Sequence, residues 1–308
     1  MSTSTRHASV EPAHGLQPEA WTVLRLMRWS GEYLETKGVE RGRLDAEHLL
    51  AEALGVERLQ LYLQYDRPLL PEELDGYRPL LRRRAQREPL QYIVGSAAFR
   101  ELELQVDGRV LIPRPETEVL VDEILAWAGG RDDAALSAVD LGTGSGAIAL
   151  SLAMEGPFER IVATDVSAEA LEVARANAAR AGLDGSVEFR EGSLFEPLHA
   201  GEAFDVVVSN PPYVTDVEGR SLQPEVMDWE PKSALLGGPD GLDVIRGIIA
   251  GAGDHVLPGG LLALEVGLGQ AGPVVALLES TGGYDDARIR RDYTGRERMV
   301  LARRAGDE

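Results

Sequence analysis

The stretch Asn210-Pro211-Pro212-Tyr213 follows the apolar run Phe204-Asp205-Val206-Val207-Val208-Ser209 and combines an amide, two residues without a backbone N–H, and an aromatic ring. At the mouth of an α/β sheet those parts can grip a planar –NH₂ group. Asn210 Oδ1 and the Pro211 carbonyl each accept one of its hydrogens, and the Tyr213 ring covers its face. Each proline fixes its own φ and steers the residue before it away from helix, so the turn is rigid. Asn-Pro is also common turn punctuation, so the tetrapeptide alone does not exclude an ordinary strand-ending turn. A second chemical feature lies upstream. Ser137-Ala138-Val139-Asp140-Leu141 reads as a short buried strand that enters Gly142-Thr143-Gly144-Ser145-Gly146, with a helix from Ala147 to Ala153. Alternate glycines let the backbone turn sharply and let a ligand approach without Cβ interference, beside the free N–H groups of a helix start. A second strand, Arg160–Thr164, ends at Asp165, about 20 residues past the loop, where a carboxylate can hold the two hydroxyls of a ribose.

Gly142, Gly144 and Ala147 also fit a dinucleotide fingerprint, so spacing alone leaves a nicotinamide enzyme open. Two features favour S-adenosylmethionine, which carries a ribose, an amino acid and a sulfonium but no phosphate. Asp140 stands two residues before the first glycine, awkward beside a pyrophosphate but useful near an amino group, and the proline-rich turn has no role in hydride transfer.

The Asp-Leu-Gly-Thr-Gly-Ser-Gly loop, Asp165 and Ser-Asn-Pro-Pro-Tyr together resemble a class I S-adenosylmethionine-dependent methyltransferase acting on a planar amine. Leu111-Ile112-Pro113-Arg114-Pro115-Glu116-Thr117-Glu118 further resembles the signature of the PrmC/HemK family, as do Arg43-Leu44-Asp45-Ala46-Glu47, Glu88-Pro89-Leu90-Gln91-Tyr92-Ile93-Val94-Gly95, and Asp292-Tyr293 with Arg296-Glu297-Arg298. The resemblance runs from about residue 20 to residue 304 and implies methylation of the glutamine side-chain amide in the Gly-Gly-Gln motif of peptide chain release factors. It implies catalytic roles for Asn210, Pro211 and Tyr213, with Pro212 completing the substrate turn. Cofactor contacts are expected from Asp140, the loop Gly142 to Gly146, Asp165, Ser193, Leu194 and Asn210. Ser193 departs from the family, where an acid usually holds the adenine amine; its hydroxyl is a weaker partner, and Leu194 supplies an apolar wall. Phe195 is expected to pack in the core. Glu116 and Glu118 suit either the positive end of a helix dipole or the cofactor pocket, and Arg114 is expected to pair with one of them.

Length and composition set the frame for these residues. At 308 residues, two domains are expected. A 44% hydrophobic content suffices for a core. With no cysteine, disulfides, thiolate metal sites and cysteine nucleophiles are excluded. Five scattered histidines offer no metal site. No apolar run approaches the ~20 residues of a membrane span, and Met1 to Pro18 lacks the apolar segment of a secretory signal. A cytoplasmic monomer is expected. Acids and bases balance over residues 1–100, so the net charge of −20 falls on the rest of the chain. Such a surface repels polyanions, which weighs against free nucleic acid. The basic cluster Arg82-Arg83-Arg84 with Arg87 reads as the solvated face of a helix, or as a contact for ribosomal RNA or an acidic partner.

The elements that must position the chemistry follow from periodicity. Residues 1–18 read as a disordered leader. Residues 19–95 form a small helical, partner-binding domain, with amphipathic helices over 20–37 and 45–54 and a third starting at Pro71. Residues 96–114 read as a hairpin linker turning at Asp107-Gly108. Residues 115–308 alternate strand and helix as an α/β, doubly wound, mostly parallel seven-stranded sheet. Later strands are expected at 187–190, 204–209 and 261–266, with an antiparallel pair near 287–291 and 298–302. A DNA or RNA amino-methyltransferase would use the same turn on a flipped base but should carry a basic groove or a recognition insert. A non-catalytic cofactor-binding scaffold should show a damaged loop or turn. Neither feature is found in the sequence.

Overall fold

A computed structural model describes residues 20–131 and 135–306; the leader expected at 1–18 lies outside them. The chain divides into one compact unit ending at Gln86 and another beginning at Arg87. The first holds helices Val23–Thr36, Gly42–Leu54, Arg58–Leu63 and Pro71–Ala85. Thr22 caps the first, its hydroxyl accepting the Arg25 N–H. Pro71 opens the last, with Glu72 and Glu73 in its first turn. Leu26, Leu34, Leu49, Leu50, Tyr77 and Leu81 are buried in this unit.

Arg84 departs from the solvated face expected of the basic cluster, while Arg82 stays exposed. Arg84 is buried, and its Nε donates to Asp45 Oδ2 at 2.7 Å. Tyr77, Leu81 and Arg84 recur at spacings of four and three, which sets the arginine on the inward stripe of its helix.

The second unit starts with helix Leu90–Val94 and the antiparallel hairpin β1 (Ser96–Phe99) and β2 (Leu102–Gln105). The compact division thus falls ahead of residue 95, because this helix stands beside β1. The hairpin turns at Arg100-Glu101 and not at Asp107-Gly108. Arg100 adopts φ 52°, and its guanidinium donates to the Glu118 carbonyl, Asp122 and Glu155. Asp107 instead folds its carboxylate back on the Arg109 N–H and guanidinium, which makes 106–110 a local turn.

The sheet then unfolds as β3 (Leu136–Leu141), β4 (Phe158–Asp165), β5 (Glu188–Glu191), β6 (Phe204–Ser209), β7 (Val256–Glu265), β8 (Tyr284–Arg291) and β9 (Glu297–Arg304). Their order is β5-β4-β3-β6-β7-β9-β8, parallel from β5 to β7 and antiparallel at β9 and β8. Strand alternation builds two cores. Ala138, Ile161, Val206, Val208 and Leu261 belong to one, while Val139, Val162, Val207, Leu262 and Leu264 belong to the other. Residues of helices Pro115–Gly129 and Ala147–Glu155 join the first core, and those of Asp243–His255 and Ala271–Thr281 the second, so both faces of the parallel strands are buried. The order reverses between β3 and β6, and ligands of open α/β sheets bind beyond the strand ends at such a switch point.

Candidate active site

The tips of β3 and β6 are tied together where Ser209 Oγ donates to the Leu141 carbonyl at 2.7 Å. Each strand then releases a special loop: Gly142 to Gly146 after β3, and Asn210 to Tyr213 after β6. Between them opens a cavity of about 410 Å³, within the range of small-molecule sites. Gly142, Gly144, Asp165, Ser193, Leu194, Asn210, Pro211 and Pro212 line it. Gly142 and Gly144 have φ of 74° and 56°, and a Cβ built on either would meet no atom within 4 Å. These two positions therefore need glycine for conformation and leave the loop face open to a ligand.

Asp165 ends β4 with both carboxylate oxygens engaged. Oδ2 accepts the Gly144 N–H and Oδ1 the Ser167 N–H, each at 2.9 Å. Lone pairs remain on both oxygens for the hydroxyls of a diol. Burial raises its pKa, opposed by those N–H bonds. Leu194 takes φ 49°, uncommon for a leucine, and its carbonyl accepts the Thr164 hydroxyl at 3.1 Å. Phe195 packs, stacking on His255 with centroids 4.7 Å apart.

Five predicted residues are not among those lining the cavity: Asp140, Thr143, Ser145, Gly146 and Tyr213. The first four build the loop from behind. Asp140 Oδ2 accepts the Thr143 hydroxyl at 2.6 Å and the Ala149 N–H at 3.3 Å, and the Ser145 carbonyl accepts from Asn177 Nδ2 at 2.9 Å. Gly146, at φ 85°, forms the entry to helix Ala147–Glu155. Asp140 is buried with Oδ1 unpaired, and burial pushes its pKa up to about 7.

An acid with a raised native pKa holds its proton longer folded than unfolded. This group therefore favours folding at low pH, and its contribution declines as pH rises from about 4 toward about 7. Asp140→Asn removes the component. Wild type is expected to lose about 2–3 kcal/mol relative to this variant between pH 5 and pH 8. Urea midpoints at the two pH values check this, and equal differences would exclude it.

Glu116 and Glu118 do not line the cavity; Glu118 Oε1 accepts the Arg100 N–H. Arg114 pairs with neither, since its Nη2 donates to Glu230 at 2.7 and 2.8 Å. That bond joins the start of helix Pro115–Gly129 to the segment whose Pro231, Ser233 and Ala234 line the cavity. Burial raises the Glu230 pKa, and Arg114 opposes it.

Three residues unassigned in the sequence complete the turn's support. Asn210 Nδ2 donates to Thr117 Oγ1 at 3.1 Å, and Thr117 Oγ1 donates to Glu265 Oε2 at 2.6 Å. Tyr213 Oη donates to Glu265 Oε1 at 3.2 Å and accepts from Arg298 Nη2 at 2.8 Å. Glu265 is fully buried at the end of β7. Burial raises its pKa, opposed by Thr117, Arg298 and Tyr213. Burial likewise holds the Tyr213 hydroxyl above the usual tyrosine range, with the Glu265 charge adding and Arg298 opposing. An acid in the otherwise apolar run Leu261–Val266 was the visible signal for Glu265. No hydrogen bond from the described residues ends on Asn210 Oδ1 or the Pro211 carbonyl.

The lining fits S-adenosylmethionine better than a dinucleotide. Its charged side chains are the carboxylates Asp165 and Asp243 and one arginine, Arg109, itself paired with Asp107. Two carboxylates oppose a pyrophosphate but accept a diol and a cationic ligand. Sheet, switch point and loop define a class I S-adenosylmethionine-dependent methyltransferase. Solved structures share the fold: a methyltransferase from Pyrococcus furiosus (20% identity, TM-score 0.50, covering 67% of this chain and 90% of that one) and the hMettl16 catalytic domain (15%, 0.54, covering 68% and 77%).

Residues 25–95 match the PrmC N-terminal domain model and 117–227 the methyltransferase small domain model. The release factor glutamine methyltransferase of Geobacter sulfurreducens is 45% identical over 93% of this chain and 98% of its own length. Those of Rhodopirellula baltica and Chlorobaculum tepidum are 38% and 40% identical, each over 92% of this chain and 97% of theirs. The chain belongs to the release factor glutamine methyltransferase family.

Proposed function

We propose that this enzyme transfers a methyl group from S-adenosylmethionine to the side-chain amide nitrogen of the glutamine in the Gly-Gly-Gln motif of peptide chain release factors. Family membership supports the substrate, and one local observation carries the chemistry: two adjacent acceptors, Asn210 Oδ1 and the Pro211 carbonyl, without donors from the described residues beside the cofactor cavity.

An amide nitrogen is a poor nucleophile because its lone pair is delocalised into the carbonyl. Bound S-adenosylmethionine supplies a methyl group made electrophilic by the sulfonium. Asn210 Oδ1 and Pro211 O take the two N–H hydrogens, which holds the nitrogen and favours localising its lone pair toward the methyl. Fixed geometry supplies much of the rate, since effective molarities of oriented partners reach ~10⁵ M or more. A nitrogen–carbon bond forms, the carbon–sulfur bond breaks toward sulfur, and the nitrogen sheds one proton to water. Asp165 holds the ribose hydroxyls, while Leu194 and Ser193 receive the adenine. Tyr213 supports the turn from behind, anchored on Glu265 and Arg298.

The helical unit is read as the partner-binding domain, docking on a folded release factor, because a lone Gly-Gly-Gln loop offers few side chains for specificity. A cytoplasmic monomer fits that partner. No helix among the described residues is long and apolar enough to cross a membrane. The net charge of −20 supports a protein substrate over free nucleic acid.

Radiolabelled S-adenosylmethionine incubated with purified release factor, and in parallel with duplex DNA, tests the reading. Label is expected on the release factor, lost when its Gly-Gly-Gln glutamine is replaced. Label in DNA alone would refute it.

A further inference from the structure

A side-chain amide has two nearly isosteric orientations, and Asn210 serves a substrate –NH₂ only with Oδ1 toward the cavity. What selects that orientation lies behind the turn. Thr117 has one hydroxyl proton and spends it on Glu265 Oε2 at 2.6 Å, so toward Asn210 its oxygen acts as an acceptor and takes the Nδ2–H at 3.1 Å. In the flipped amide, Oδ1 would face Thr117 Oγ1. The hydroxyl would then have to abandon the carboxylate, or two acceptors would face each other. The carboxylate form of Glu265 suits its surroundings. Thr117 and Tyr213 donate to its two oxygens, and Arg298 Nη2 lies 3.7 Å from Oε1. Thr117 and Glu265 are buried, which keeps water from substituting for either bond.

We propose that Thr117 and Glu265 are positioning residues that fix the amide orientation of Asn210 and present Oδ1 to the substrate nitrogen. The same carboxylate reaches both ends of the four-residue turn, Asn210 through Thr117 and Tyr213 directly. The threonine of the Ile-Pro-Arg-Pro-Glu-Thr-Glu stretch thereby acquires a role, since from the third position of helix Pro115–Gly129 it couples that helix to β7 and to the turn after β6. The inference rests on the amide-methylation reading.

Thr117→Val keeps the shape and removes both hydrogen bonds; Thr117→Ser keeps both. Thr117→Val is expected to lower kcat about 10- to 100-fold, with KM for release factor and Kd for S-adenosylmethionine within about threefold of wild type. Thr117→Ser should recover kcat to within about threefold. The chain has only two asparagines, Asn177 and Asn210, so selective ¹⁵N-asparagine labelling yields two side-chain amide pairs. Both Thr117→Val and Glu265→Gln should move the Asn210 pair and leave that of Asn177 in place. An unmoved pair, an unchanged kcat in Thr117→Val, or a serine variant as impaired as the valine variant would overturn the proposal. If wild type itself fails to label release factor, the functional reading fails instead, while the spectra still report the positioning.

Discussion

Asn210→Ala is expected to lower kcat by on the order of 10²- to 10³-fold, with cofactor affinity changed by less than about threefold. The asymmetry follows from the site's construction. In the proposed mechanism, alanine removes the acceptor of one substrate N–H and leaves the Pro211 carbonyl to hold the other alone. The second hydrogen is then unpartnered, and the amide is free to rotate away from attack. The cofactor end of the cavity stands on other elements, the β3 loop and Asp165. Folding should survive, because the bond lost inside the protein, Asn210 Nδ2 to Thr117, leaves Thr117 still bonded to Glu265. Calorimetry with S-adenosylmethionine and single-turnover transfer to release factor separate the two quantities. Near-normal turnover would remove Asn210 from the chemistry.

The parts of the site that depend on short spacings were readable in the sequence. Glycine, proline and asparagine state backbone requirements where they stand, so residue order alone places the β3 loop and the turn after β6. The sheet was readable for the same reason, since its central strands are near-continuous apolar runs such as Val206-Val207-Val208. The support behind the turn was not. Thr117 lies 93 residues from Asn210 and 148 from Glu265, and they meet only because β6 and β7 are neighbours. Arg114 was given a local partner by proximity along the chain, yet its partner is Glu230, 116 residues away. Long side chains reach across a fold, and composition does not say to whom. Asp107-Gly108 misled in the opposite way. It carries the strongest short turn signal in its segment, but a turn held by Asp107 on Arg109 needs no strands on either side, and the hairpin formed at Arg100 instead.

Asp165→Ala should show the opposite kinetic signature to Asn210→Ala. Cofactor Kd is expected to rise about 10²-fold, while kcat at saturating cofactor changes by less than about threefold. One carboxylate holds the Gly144 N–H and the Ser167 N–H, and in the proposed reading it would also offer its remaining lone pairs to the ribose diol. Alanine deletes the ligand contact and frees the loop whose open face receives the cofactor, so both losses fall on binding. The reacting nitrogen, which the proposed mechanism places on the β6 side, is untouched once the cofactor is seated. Asp165→Asn should fall between, since an amide oxygen replaces only one of the two carboxylate acceptors and its –NH₂ faces an N–H donor. Burial raises the Asp165 pKa, so wild-type affinity should begin to weaken at a higher pH than a free aspartate would predict as the medium is acidified. In Asp165→Asn the part of that pH dependence due to Asp165 should disappear, leaving any contribution of Asp140, which titrates near pH 7 behind the same loop. Calorimetric titrations at pH 8 and pH 5 on wild type and both variants measure all of this. A Kd unchanged in Asp165→Ala would move the ribose to another part of the cavity.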